Sequence, residues 1–169
     1  NAQIFLDKES NRVACGSRNR VLSIGDNVIG GDLVRGFVKY IQEREQVLLD
    51  VYFHYYPDNI IYGEWLVPHK VKYAPIFYNH FYAYDIYDSS KGIYDLVPRT
   101  IIPHCGIKLV LYDQARINPT IEELKEAYLK LPSSFGAEYR EGIVVKNYDF
   151  VNKWGRCTYG KILHESFIE

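Results

Sequence analysis

The chain predicts an α+β fold, built mostly of antiparallel twisted sheet with helices on its flanks. Three observations carry that prediction. Sixteen Tyr and eight Phe in 169 residues, with many Val and Ile among them, suit pleated and half-buried surfaces. The apolar runs are short and separated by turn residues. Only two stretches carry a helical period instead.

Taken in order, strands are expected at residues 2–6, 12–17, 60–66, 81–87, 107–112, 141–147 and 157–163. The polar run Asp7-Lys8-Glu9-Ser10-Asn11 joins the first two as a hairpin. The first helix is expected over residues 32–45, where Leu33, Val34, Phe37, Val38 and Ile41 recur at helical spacing with charges opposite. The second begins at Asn118-Pro119-Thr120. Thr120 caps it, Glu123 completes the capping box, and Leu124, Tyr128 and Leu131 form the apolar stripe. No repeat and no internal linker interrupts the chain, so residues 1–169 read as one domain.

Composition excludes several classes. With 47% hydrophobic and 24% charged residues, 12 Gly and 7 Pro, the chain is neither disordered nor of low complexity. No apolar run is long enough for a membrane span or shaped as a signal peptide. Cys15, Cys105 and Cys157 lie far apart, which reads as reduced thiols of a cytoplasmic protein. His54, His69, His80, His104 and His164 show no metal spacing, and no phosphate loop or nucleophile elbow is present. A net charge of −1 gives no overall basic field for nucleic acid. The absence of any Met reads as a domain cut at both ends.

Chemistry is expected where charge sits inside apolar strands. In Ile60-Ile61-Tyr62-Gly63-Glu64-Trp65-Leu66 the carboxylate is either functional, with Gly63 allowing a close approach, or an edge-strand residue facing water. Phe81-Tyr82-Ala83-Tyr84-Asp85-Ile86-Tyr87 pairs aromatics with one acid, suited to base stacking or to plain core packing. In Arg140-Glu141-Gly142-Ile143-Val144-Val145-Lys146, period two sets Glu141, Ile143 and Val145 on one face and Lys146 on the other. Glu141 there could hold a metal or a ribose hydroxyl, or simply end a strand. In Tyr159-Gly160-Lys161-Ile162-Leu163 a partly buried lysine needs an anion, either a nucleotide phosphate or a partner such as Glu64 or Glu141. The turn Gly16-Ser17-Arg18-Asn19-Arg20 suits phosphate, or is a solvated turn.

In order, these elements resemble the covalent nucleotidyltransferase superfamily of ligases and mRNA-capping enzymes, and within it ATP-dependent RNA ligases of the phage and RNA-editing type. That family opens its site with Lys-x-x-Gly-Thr-Asn, to whose final residue Asn1 corresponds. Gly16-Ser17-Arg18 resembles its arginine turn, Tyr62-Gly63-Glu64 its Gly-Glu strand and Phe81–Asp85 its aromatic strand. Residues 141–146 resemble its Glu-Gly-x-Val-x-Lys element, and Tyr159-Gly160-Lys161 its closing strand, where Tyr159 stands in place of a first lysine.

The resemblance implies a nucleotidyltransferase, ATP-grasp-like ligase fold. It implies a monomeric adenylyltransferase domain with the nucleophilic lysine upstream of Asn1 and a further domain beyond the last residue. The activity implied is RNA repair, sealing 5′-phosphate to 3′-hydroxyl RNA ends at the expense of ATP with Mg2+ or Mn2+. By resemblance Tyr84 stacks on adenine and Glu64 binds the ribose. Lys161, with Lys146, neutralises the α-phosphate, and Glu141 organises the metal. Asn1 and Arg18 orient the phosphate and the attacking hydroxyl, and Asp85 supports the site from behind. Three other readings stand beside this one: a DNA ligase or capping guanylyltransferase, a noncatalytic nucleotide- or RNA-binding module, and a structural β-rich domain with its strand charges facing solvent.

Overall fold

The computed structural model describes residues 1–30, 35–113 and 118–168. It is α+β, with a mainly antiparallel sheet and a few short helices. The chain forms two compact units. One comprises Asn1–Val67, Asn79–Val110 and Lys153–Arg156; the other comprises Pro68–Tyr78, Leu111–Asn152 and Cys157–Glu169.

In the first unit the strands are β1 (Ala2–Asp7), β2 (Arg12–Ser17), β3 (Arg20–Ile24), β4 (Asn27–Val28), β5 (Asn59–Leu66), β6 (His80–Asp88), β7 (Ile93–Leu96) and β8 (Lys108–Leu109). They hydrogen-bond in the order β4-β3-β2-β1-β5-β6-β7, and β8 joins β6. The β1–β2 hairpin closes as expected, with the Asp7 carboxylate accepting from the Ser10 backbone N–H at 3.0 Å and Asn11 at φ 52.

One face of this sheet is the core. Ile4, Val13, Ile61, Trp65, Phe81 and Ile86 point into it. They meet α1 (Phe37–Gln42), whose Phe37, Val38, Tyr40 and Ile41 are buried. The first helix is thus packed against the sheet and shorter than expected. Leu33 and Val34 lie outside the described residues. At the other end Glu45 opens a separate turn, α2 (Glu45–Val47), which runs into a π-helical segment Leu48–Phe53. A contact distant in sequence accounts for the break: the Glu45 carboxylate accepts from Arg12 Nε and Nη2 at 2.7 and 2.8 Å and from the Val13 N–H at 3.0 Å, which pins it to β2.

Three strands, β3, β4 and β7, were not foreseen, being short and interrupted by polar residues. The strand expected at 107–112 shrinks to two residues and runs parallel to β6. Beyond it the Val110 carbonyl accepts from Arg99 Nη1 and Nη2, each at 3.1 Å, and Leu111 and Tyr112 turn to solvent.

The second unit holds α3 (Ile121–Leu124), β9 (Gly142–Val151), β10 (Cys157–Leu163) and α4 (Glu165–Ile168). Thr120 and Glu123 form the expected capping box. The helix then widens to a π-helical segment, Lys125–Leu129. A π turn places residue i+5 above residue i. Leu129 therefore joins Leu124 as the buried pair, and Leu131, expected in the stripe, is exposed.

Candidate functional site

Strand register assembles four of the predicted residues on the sheet face opposite the core. Ala2 pairs with Ser17 on one side and Gly63 on the other, so Asn1 falls between Arg18 and Glu64. The polar contacts follow that placement. Amide O and N are assigned from their partners. With its nitrogen toward Glu64, the Asn1 amide donates to Glu64 Oε2 at 2.8 Å and accepts from Arg18 Nη2 at 2.9 Å. The Tyr84 hydroxyl lies 3.3 Å from the same amide. Glu64 stands in a central strand, bonded to β1 and β6, and not at an edge. Its side chain is half exposed because this face is open there.

The position of Tyr84 comes from a β-bulge. Tyr62 pairs with Asp85 and Gly63 with Ala83, leaving Tyr84 as the extra residue of β6. Ala83 and Ile86 both belong to the core cluster, so the bulge sets Tyr84 and Asp85 consecutively on the opposite face. A bulge re-aims side chains in this way. Burial, then the charges of Glu64 and Asp85, raise the Tyr84 phenol well above its ordinary value, against the pull of Arg18. It is a neutral hydrogen-bonding group at any physiological pH.

Gly63 is explained by the fold. A Cβ there would lie 2.4 Å from the Tyr82 carbonyl and 2.5 Å from the Phe81 ring. It admits backbone and an aromatic ring. Gly142, beside Glu141, plays the same part, since a Cβ would lie 2.4 Å from the Ile162 carbonyl.

In the second unit Lys161 Nζ donates to Glu141 Oε1 at 3.1 Å. Lys161 is exposed, contrary to the partly buried lysine expected, and Glu141 rather than Glu64 is its partner. Cross-strand pairs share a face. Lys161 opposes Val144 and Tyr159 opposes Lys146, so Lys146, Tyr159 and Lys161 stand together. Glu141 lies just before β9 and turns its carboxylate to that lysine side, not to the Ile143–Val145 face assigned by simple alternation.

Among the described residues no three His, Cys, Asp or Glu side chains converge as a metal site. Mg2+ is often held by one or two carboxylates, water and substrate phosphates, a donor set to which the Glu141 carboxylate could contribute. The three cysteines are buried thiols, and burial pushes Cys105 up to about 11. The concavity lined by Asp7, Glu9, Arg12 and Asp26 lies at the far end of β1 from Asn1. Its arginine is already engaged by Glu45 and Asp26.

Two residues on the open face were given no role in the sequence reading. Gln3 and Tyr62 are register partners, and each lies two residues from a predicted site residue, Asn1 and Glu64. Period two, applied outward from those residues, locates them.

Fold and site together define an antiparallel α+β protein presenting a charged row on an open sheet face. The RNA ligase family model matches residues 1–157, and the chain belongs to that family. Tyr159 and Lys161 fall just beyond the match. No curated protein and no solved structure matches the chain. Among the described residues no helix is long and apolar enough to cross a membrane.

Proposed function

We propose that the chain is the adenylylating domain of an ATP-dependent RNA ligase, of the phage and RNA-editing type in the covalent nucleotidyltransferase superfamily. The observation that carries this reading is the row Arg18–Asn1–Glu64 with the Tyr84 hydroxyl beside it. It gathers on one sheet face four residues that the sequence singled out separately. The family match supports the ligase and its RNA substrate.

In this reading a lysine upstream of Asn1 attacks the ATP α-phosphorus, a phosphorus–nitrogen bond forms and pyrophosphate leaves. The RNA 5′-phosphate then displaces the lysine to give an RNA adenylate. A 3′-hydroxyl attacks the 5′-phosphorus, and AMP departs. Tyr84 presents a ring to adenine and Glu64 accepts from ribose hydroxyls. Asn1 and Arg18 orient the phosphate and the attacking hydroxyl, and the buried Asp85 supports the site. Lys161 and Lys146 spread positive charge where the transition state gathers negative charge. Glu141 orients Lys161 and would be the carboxylate to hold Mg2+ or Mn2+, which would supply further charge neutralisation.

The test is intact mass of the full-length protein after incubation with ATP and Mg2+, followed by sealing of nicked RNA and nicked DNA. A covalent AMP adduct and sealed RNA are expected. Absence of the adduct would leave a binding module, and sealing of all-DNA nicks alone would move the protein to the DNA ligases.

A further inference from the structure

The open face of the sheet does not end at the charged row. Tyr62 lies two residues from Glu64 along β5, a displacement of about 7 Å. Its ring stacks on Tyr94 of β7, with centroids 6.2 Å apart and planes at 30°. Tyr94 in turn packs on Tyr87 of β6 at 4.7 Å, its register partner. All three rings are half-buried, none of them in the core cluster. Burial raises the Tyr62 phenol above its ordinary value, its tyrosine neighbours add to this, and the positive charge of Arg156 acts in the opposite sense. Arg156 belongs to the same unit and is exposed.

Half-exposed aromatic faces beside a guanidinium suit a single-stranded base with its flanking phosphate, because every base has a π face and the charge answers the backbone. Core packing does not account for rings held on the solvent side of the sheet. Their continuity with the Glu64 row places such a base next to the nucleotide that the ligase reading seats there.

We propose that Tyr62, Tyr87 and Tyr94, with Arg156 beside them, form a stacking subsite for a nucleobase of the RNA strand. The proposal rests on the ligase reading above and adds to it a grip on RNA independent of the ATP step. Sequence preference is weak at such a subsite, since stacking tolerates any base.

The experiment compares full-length protein with Tyr94→Ala, Tyr94→Phe and Arg156→Gln. One readout is the Kd for a 5′-phosphorylated single-stranded oligoribonucleotide, by fluorescence anisotropy. The other is the AMP adduct formed from ATP, by intact mass. Tyr94→Ala is expected to weaken RNA binding about 5- to 50-fold with adduct formation retained. Tyr94→Phe, which keeps the ring, stays within about twofold, and exposed Arg156→Gln weakens binding about 3- to 10-fold. RNA affinity unchanged in both Tyr94→Ala and Arg156→Gln, in a parent that forms the adduct and binds RNA, overturns the subsite and leaves the ligase reading intact. Loss of the adduct at unchanged RNA affinity also overturns it, by assigning the rings to ATP. A parent that neither forms the adduct nor binds RNA sinks both.

Discussion

Asn1 shows how much one amide can organise. The Glu64 carboxylate comes from β5 and the Arg18 guanidinium from the end of β2, the two strands that flank β1, and the amide between them satisfies both at 2.8 and 2.9 Å and keeps them apart. Each is left with lone pairs or N–H groups to offer a ligand. Asn1→Ala therefore does more than remove two hydrogen bonds, because it lets Glu64 and Arg18 collapse together. We expect it to lower the rate of adenylylation by about 10- to 100-fold, the loss of one or two charge-assisted hydrogen bonds, with little change in melting temperature. Single-turnover kinetics with ATP measure this, and an unchanged rate would exclude the row from the site. Tyr84 separates two roles in the same assay. Tyr84→Phe keeps the ring and loses the hydroxyl contact, whereas Tyr84→Ala loses both. If stacking dominates, the alanine variant raises the KM for ATP about tenfold and the phenylalanine variant less than threefold. Equal effects would make the hydroxyl the working group.

Elements bring these residues together through two irregularities that alternation alone cannot reveal. The β6 bulge puts Tyr84 and Asp85 on one face, and Gly63 gives the room that bulge needs against Phe81 and Tyr82. Gly63→Ala is expected to cost about 1–3 kcal/mol by overpacking, measured by urea denaturation. A stable variant would mean that the strand pair can part without harm. The Arg12–Glu45 pair ties α2 to β2 in a comparable way. Its hydrogen bonds hold the Glu45 carboxyl below the usual 4.5, so Glu45 contributes stability at neutral pH that is lost as pH falls below 4.5 and through its folded value. Glu45→Gln should thus be about 1–2 kcal/mol less stable at pH 7, and the gap should close in acid. Strands β1, β2, β5, β6, β9 and β10 were legible in the sequence because β-branched and aromatic runs fix them locally. The capping box at Thr120 was legible for the same reason. The break of the first helix at Glu45, the β6 bulge and the two-residue β8 were not, because each involves a partner outside its own segment: Arg12 for Glu45, Gly63 for Phe81, Arg99 for Val110.

At the scale of the whole molecule the site residues were read from sequence one by one, and only register showed which of them are neighbours. Arg18, Asn1 and Glu64 lie far apart along the chain, yet two strand pairings set them side by side. Lys146, Tyr159 and Lys161 meet through a third. The same picture limits how RNA can be held. With a net charge of −1, no diffuse field gathers polyanions, so in the proposed reading binding depends on discrete contacts from Arg18, Lys146, Arg156 and Lys161. Each neutralised phosphate releases counterions, giving a slope in log K against log salt of about −0.7 per contact on a single strand. Four contacts give a slope of about −3. Measuring the Kd for a single-stranded oligoribonucleotide between low and moderate salt tests this directly. A slope steeper than about −6 would require basic surface other than these four side chains, and a slope near zero would mean that they do not touch phosphate. Arg156→Gln should flatten the slope by somewhat less than one, while Tyr94→Ala should weaken binding equally at every salt concentration, since stacking releases no ions.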